Sequence, residues 1–202
     1  MWGHKRCLRH TESRKVETMA EYIRTGNIKL LFCFAFYLAW WIVGFNPWRP
    51  IRGVKSGWLL IPAVMLGVVA LFNIVQGLNL SGGLVPGSAL ILGGMASYVA
   101  LLIITGVTLR RPVTSELFII VLWVTITLLE INTLVALGLV PPGLGWALTA
   151  LCVAGSAVSL VCYQLFYGLQ GMAAFVDGAV PLVLAGLMTG VVTLCMGWPF
   201  CE

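Results

Sequence analysis

The sequence predicts an all-α integral membrane protein with about six transmembrane helices. Of its 202 residues, 60% are hydrophobic and only 9% are charged, and the mean hydropathy is +1.00. Soluble domains carry about 25% charged residues. A helix needs about 20 mostly apolar residues to cross a hydrocarbon core roughly 30 Å thick. The chain has six such runs, near residues 28–45, 58–80, 87–109, 117–140, 145–167 and 179–198.

These runs predict helices because they are apolar on every face, whereas the strands of a membrane barrel alternate apolar and polar residues. The connections between them are short, so residues 28–202 are expected to form one transmembrane domain. Residues 1–27 form a basic tail before it. Met19 is a second candidate start of translation, in which case residues 1–18 would not be native; the alternative is that the whole tail is genuine.

The positive charges flank the apolar runs. Of the twelve Lys and Arg residues, seven precede the first run, and the others follow the first and third runs. This pattern indicates contact with anionic lipid head groups and argues against a nucleic-acid partner. Because both the tail and these loops are basic, the orientation depends on which start is correct. We expect a multi-pass protein of the bacterial inner-membrane type.

The two halves of the chain share a weak motif, G-W-x8-G-x8-Q, which begins at Gly57 and again at Gly145. An offset of three helices suggests a 3+3 inverted repeat, an arrangement that places binding sites between two half-bundles. A chance match is the alternative, because the chain has 23 glycines.

One acidic residue, Glu130, lies well inside an apolar run. A charged carboxylate at the bilayer centre costs at least about 2.5–3.5 kcal/mol, so Glu130 should face a polar interior or stay protonated. Trp123, Thr127, Glu130 and Thr133 recur at helical spacing and form one stripe on the fourth run. Glu130 could carry a proton or cation there. Alternatively, it is a protonated acid that locks neighbouring helices together.

Hydrogen-bonding residues on other runs could complete this site. The fifth run has a stripe of Ser156, Ser159, Tyr163 and Tyr167 with Gln164 beside it, and the second run ends with an asparagine and a glutamine. The predicted substrate- or proton-binding residues are Glu130, Thr127, Tyr163, Gln164, Asn73 and Gln76.

Other polar and small residues receive structural predictions. Asn132 lies about 200° round the helix from Glu130, so it should bond to a neighbouring helix, with Thr125 on its own face. Asp177 precedes Gly178 and Pro181 and is expected to be a loop acid or helix cap, with an entrance charge as the alternative. Four aromatic residues of the first run either pack against lipid and neighbouring helices or stack on a flat or cationic ligand: Phe36, Tyr37, Trp40 and Trp41. Two small-residue pairs suit close helix crossing: Gly93 with Ser97, and Gly186 with Gly190.

The sequence lacks residues that several classes of membrane enzyme need. Histidine occurs only at His4 and His10, so no span offers a histidine for haem ligation, a zinc site or a Ser/His mechanism. The six cysteines form no CxxC pair, although Cys195 and Cys201 could form a disulfide. There is no phosphate-binding loop. We therefore predict no catalytic residue, no cofactor and no metal site.

The favoured function is a transporter or channel-like protein for a small solute, which could be coupled to protons through Glu130. The first alternative is a non-catalytic membrane subunit, which binds or anchors other components of a larger complex. A membrane enzyme acting on a lipid or quinone is the less favoured alternative. The expected partners are the lipid bilayer, a small solute or proton, and another membrane protein or a second copy of the chain.

Overall fold

The computed structural model describes residues 2–47, 57–79, 82–110 and 114–197, of which 2–13, 109, 114, 115 and 197 are described by their backbone alone. Within these ranges the chain forms six α-helices and no strand, and each helix is long and apolar enough to cross a membrane. The predicted all-α fold with six spans is therefore confirmed. The helices are α1 (Trp2–Phe45), α2 (Gly57–Gly77), α3 (Gly87–Leu109), α4 (Thr114–Ala136), α5 (Pro142–Phe166) and α6 (Gly171–Gly197).

Helix α1 is much longer than the apolar run that predicts it. It continues without a break from the basic segment into the span. Asn27 therefore lies inside a helix and on a buried face, together with Ile23 and Gly26. This face places an amide within the bundle.

Helices α1 and α2 form a closely packed antiparallel hairpin. A Cβ atom on Gly26 would lie 2.6 Å from Ile74 Cγ1, and one on Gly77 would lie 2.6 Å from Ile23 Cγ1. The two glycines thus make reciprocal close contacts, one on each helix. This register places Asn73 of α2 at the level of Asn27.

The α4–α5 connection is a tight turn. Gly138 has a positive φ of 71°, and the Leu139 amide donates to the Leu134 carbonyl at 2.9 Å, which closes the end of α4. Pro142 is the first residue of α5, a position where the missing N–H of proline costs nothing. The short turn keeps α4 and α5 antiparallel and adjacent.

Helix α4 is at the centre of the bundle. It packs on α3, α5 and α6, whereas α1 packs on α2 and α6. In the most apolar window of α4, 44% of the residues are buried, more than in any other described span. The main hydrophobic core comes from α4, the α4–α5 turn, α5 and α6: Trp123, Ile131, Leu134, Val140, Leu148, Cys152, Ala185, Met188 and Val192.

The helix pairs follow the possible inverted repeat only in part. The α1–α2 contact corresponds to α4–α5, and the α3–α4 contact corresponds to α6–α1. The extensive α5–α6 contact, however, has no comparable α2–α3 counterpart within the described residues. Gly67 lies against Cys33, while a Cβ on its sequence equivalent, Gly155, would meet nothing within 4 Å. The inverted repeat stays a prediction.

The close helix approaches lie beside the predicted small-residue pairs rather than at them. A Cβ on Gly93 or Gly190 would meet nothing within 4 Å, whereas one on Gly94 would overlap Thr125. Within the described residues no helix of this chain crosses closely at Gly93 and Ser97, because that face of α3 lines an open groove of about 300 Å³ shared with α4 and α5. Gly94 is the next residue after Gly93 and points about 100° further round the α3 axis, so it faces α4 while Gly93 does not.

Candidate functional site

The polar stripe of α4 faces the interior of the bundle, as its helical spacing predicts. The exposed fractions of Trp123, Thr127, Glu130 and Thr133 are 8%, 3%, 2% and 0%. Glu130 is therefore shielded from lipid. Because α4 is the central helix, this stripe is surrounded by protein.

The Glu130 carboxyl has a partner on a distant helix. Asn27 Nδ2 of α1 donates to Glu130 Oε2 at 3.1 Å, and Asn27 is wholly buried. From α5, the Cys152 thiol lies close enough to interact electrostatically with the carboxyl. Three helices therefore converge on Glu130.

Asn27 is a site residue that sequence reasoning missed. It immediately precedes the first apolar run, in the segment that the sequence predicts to be a basic tail. The available signal was the spacing of Ile23, Gly26 and Asn27, which continues a helical face upstream of the apolar run. Hydropathy alone gives that face no weight.

The Asn27 amide offers chemistry suited to both forms of a carboxyl group. Its Nδ2 donates to a carboxylate, while its Oδ1 can accept from a protonated carboxyl. Within the described part of the chain, Asn27 Oδ1 is buried and has no hydrogen-bond partner. An unsatisfied buried polar atom costs about 1–3 kcal/mol. Glu130 can thus keep a hydrogen bond to Asn27 whether or not it holds a proton.

Asn132 and Thr133 hold the α2–α3 loop over the end of the bundle nearest Glu130. Asn132 Nδ2 donates to the Gly82 carbonyl at 2.9 Å, and the Val85 amide donates to Asn132 Oδ1 at 3.0 Å. Thr133 Oγ1 donates to the Asn79 carbonyl at 2.9 Å. The expectation that Asn132 bonds to a neighbouring helix is corrected, because its partners are loop backbone groups. A loop must satisfy its own polar groups, and Asn132 provides both a donor and an acceptor.

The predicted binding residues divide into two groups. Thr127 lies on the buried stripe with Glu130, and Tyr163 is buried on the face of α5 that also carries Cys152. Gln164 is exposed, and its Nε2 donates to Thr108 Oγ1 of α3 at 3.3 Å. On α2, Asn73 is half-buried and Gln76 is exposed. The bundle interior therefore holds Thr127 and Tyr163 with Glu130, but neither glutamine.

Asp177 lies within α6, which begins at Gly171, so the prediction of a loop acid or helix cap is wrong. The helix starts earlier than the apolar run because Gly171 adopts a positive φ and turns the chain there. Asp177 is half-buried, its Oδ2 atom is buried without a hydrogen-bond partner among the described residues, and the Cys162 side chain of α5 lies beside the carboxyl group. Asp177 is therefore a second acid between helices.

The aromatic residues of α1 pack largely against one another and against α6. Trp41 Nε1 donates to the Phe175 carbonyl at 3.0 Å, and the Trp41 ring stacks on Phe45 with centroids 4.6 Å apart. A Cβ on Gly178 would overlap the Trp41 ring. These contacts join α1 to the first turns of α6. Trp41 therefore packs against other residues of the protein.

The fold and these polar contacts define a multi-pass membrane protein with six helices around a buried carboxyl–amide pair. Within the residues whose side chains are described, no group of three His, Cys, Asp or Glu could hold a metal ion. No protein-family model, curated protein or solved structure matches the chain.

Proposed function

We propose that this protein transports a small polar solute across the membrane and that Glu130 carries the coupling proton. The observation that supports this proposal is the Glu130 carboxyl itself, which is 2% exposed and bonded to a single amide on another helix. Ionisable side chains within membrane spans are costly, and they commonly belong to substrate paths or proton relays. A hydrogen bond between membrane helices contributes only about 0.6–2 kcal/mol, so stability alone is a weak reason to bury an acid there.

The Asn27–Glu130 contact would couple the protonation state of Glu130 to the position of the α1–α2 hairpin. A carboxylate accepts from Asn27 Nδ2, and loading a proton lets the carboxyl donate to Asn27 Oδ1. Because Gly26 and Gly77 lock α1 to α2, the two helices would move as one body. Helix α1 packs mainly on α2 and α6, and this hydrogen bond joins it to α4. Proton loading would then bias how the hairpin sits against α4.

The buried polar groups favour a neutral or cationic solute. Among the described residues, the buried polar side chains include one acid, two amides and, with Tyr163, six hydroxyls, but no lysine or arginine. An anion would enter this low-dielectric interior without a counter-charge. Hydroxyl and amide groups suit a solute that both donates and accepts hydrogen bonds.

A non-catalytic membrane subunit is the second candidate function. The observation that favours it is the open groove between α3, α4 and α5, where Gly93 and Ser97 lie exposed at membrane depth. Small residues on a membrane helix permit close approach of another helix. In this alternative, Glu130 and Asn27 lock α4 to α1 without any transport.

The test is coupled uptake in proteoliposomes. Purified protein is reconstituted with a pH-sensitive dye inside, a pH gradient is imposed, and a panel of neutral polar solutes and amines is added one at a time. We expect at least one solute to move together with protons in the wild type and not in Glu130→Gln. Glu116→Gln is the matched control, because it removes an exposed acid of the same helix. Coupling that persists in Glu130→Gln would contradict the proton role, and no uptake of any solute would favour the subunit.

A further inference from the structure

Asp177 lies at the end of the bundle opposite Glu130. It is the seventh residue of α6, close to the side where α6 begins, whereas Glu130 lies six residues before the end of α4 on the other side. On α5, Cys152 lies near enough to Glu130, and Cys162 near enough to Asp177, for each thiol to interact electrostatically with the acid. These two cysteines are about ten residues apart, which corresponds to roughly 15 Å along the helix. The two acids therefore lie at different depths of the bundle.

Buried polar atoms without partners occur at both acids and between them. Among the described residues these atoms are Asn27 Oδ1, Trp123 Nε1 and Asp177 Oδ2. Trp123 lies about seven residues before Glu130 on α4, which places it roughly 10 Å nearer the end that holds Asp177. Native proteins leave few buried polar atoms unsatisfied, and each one calls for an explanation. A path that binds water or solute transiently would satisfy all three.

Helix α5 carries hydroxyl groups between the two acids. Its buried residues include Cys152, Ser159 and Tyr163, so both hydroxyls lie on the face that also carries Cys152. Ser159 Oγ donates to the Gly155 carbonyl at 2.9 Å and retains free lone pairs. Hydroxyl groups can pass a proton on through bridging water.

We infer that Asp177 is a second proton-binding carboxyl, at the mouth of the path opposite Glu130. This inference rests on the proposed transport function and extends it. A proton from the solution on that side binds the Asp177 carboxylate, passes through water and the hydroxyls of Ser159 and Tyr163, and binds the Glu130 carboxylate. Asp177 then returns to its ionised form, so one proton moves and no other species changes. The titratable groups recorded against the two acids are Cys162 for Asp177 and Cys152 for Glu130.

The experiment measures proton uptake into proteoliposomes under a potassium diffusion potential, with glycerol, urea and methylammonium on both sides. The variants are Glu130→Gln, Asp177→Asn, Asp177→Glu and the control Glu116→Gln, an exposed acid at the same end of the bundle as Asp177. We expect Asp177→Asn to slow uptake on the order of a hundredfold, a typical contribution of a positioned proton-transfer group. Asp177→Glu should restore most of the rate, and Glu116→Gln should match the wild type.

The outcomes separate the two proposals. Wild-type uptake that Glu130→Gln abolishes and Asp177→Asn leaves unchanged would overturn the role of Asp177 alone. Absence of uptake in the wild type would overturn the proposed function and this inference with it.

A second measurement covers the case in which Asp177→Asn fails to fold. With Cys162 as the sole cysteine, a membrane-impermeant maleimide should label it from the side opposite the N-terminus. A Glu116→Cys variant is the positive control for that side. Labelling of the control without labelling of Cys162 would show that water does not reach Asp177 from there, which also overturns the inference.

Discussion

Asn27 Nδ2 on α1 lies 3.1 Å from Glu130 Oε2 on α4, although 103 positions separate the two residues in the chain. Both side chains are almost wholly buried. This contact joins the α1–α2 hairpin to the central helix.

Asn27→Ala should destabilise the protein, because it leaves the Glu130 carboxyl without its partner. We expect the free energy of unfolding to fall by about 1–3 kcal/mol. Unfolding in detergent micelles by a denaturing surfactant measures it. The matched control is Gln76→Ala, which removes an exposed amide from the same hairpin and should change stability by less than about 0.5 kcal/mol. Equal effects of the two substitutions would show that the Asn27 bond contributes nothing.

Glu130→Gln and Glu130→Leu should differ in stability while both lose proton coupling. The glutamine amide can still bond to Asn27, so Glu130→Gln should unfold within about 1 kcal/mol of the wild type. Leucine cannot form a hydrogen bond, so both Nδ2 and Oδ1 of Asn27 would be buried without a partner. The free energy of unfolding of Glu130→Leu should therefore fall by about 1–3 kcal/mol. The same unfolding assay, run beside the uptake assay, separates stability from transport. A Glu130→Gln protein that fails to fold would favour the structural role of this acid.

Gly26→Ala should loosen the α1–α2 hairpin. The added Cβ would lie 2.6 Å from Ile74 Cγ1 and 3.0 Å from the Ala70 carbonyl oxygen, so the helices must separate. Overpacking of this kind costs about 1–3 kcal/mol. Gly155→Ala is the control, because its Cβ would meet nothing within 4 Å and alanine is the better helix former. A stability loss in Gly155→Ala as large as that in Gly26→Ala would contradict the close packing of the hairpin.

Asn132→Ala should release the α2–α3 loop from the end of α4. The Val85 amide and the Gly82 carbonyl would each lose a hydrogen bond. Hydrogen exchange followed by mass spectrometry should show faster exchange at Val85 and little change within α4. Ser156→Ala should leave exchange in this loop unaltered, because the Ser156 hydroxyl bonds only to the Val153 carbonyl of its own helix. Unchanged protection at Val85 in Asn132→Ala would show that other contacts hold the loop.

The amino-acid sequence by itself determined the six helices and the inward direction of Glu130. Both follow from local patterns, since about 20 apolar residues suffice to span a bilayer and a stripe at helical spacing defines one face of a helix. The cost of exposing a carboxyl to lipid then turns that face inward. None of these arguments needs to know which helices are neighbours.

Only the tertiary structure decided which groups meet Glu130. The hairpin register set by Gly26 and Ile74 brings Asn27 to the carboxyl, and the rotation of α5 turns Tyr163 inward and Gln164 outward. Such registers and rotations depend on contacts between residues far apart in sequence. Hydropathy and helical spacing are local patterns and carry no information about those contacts. Asp177 shows the same limit, because its position between helices results from an α6 that begins at Gly171 and packs on α5.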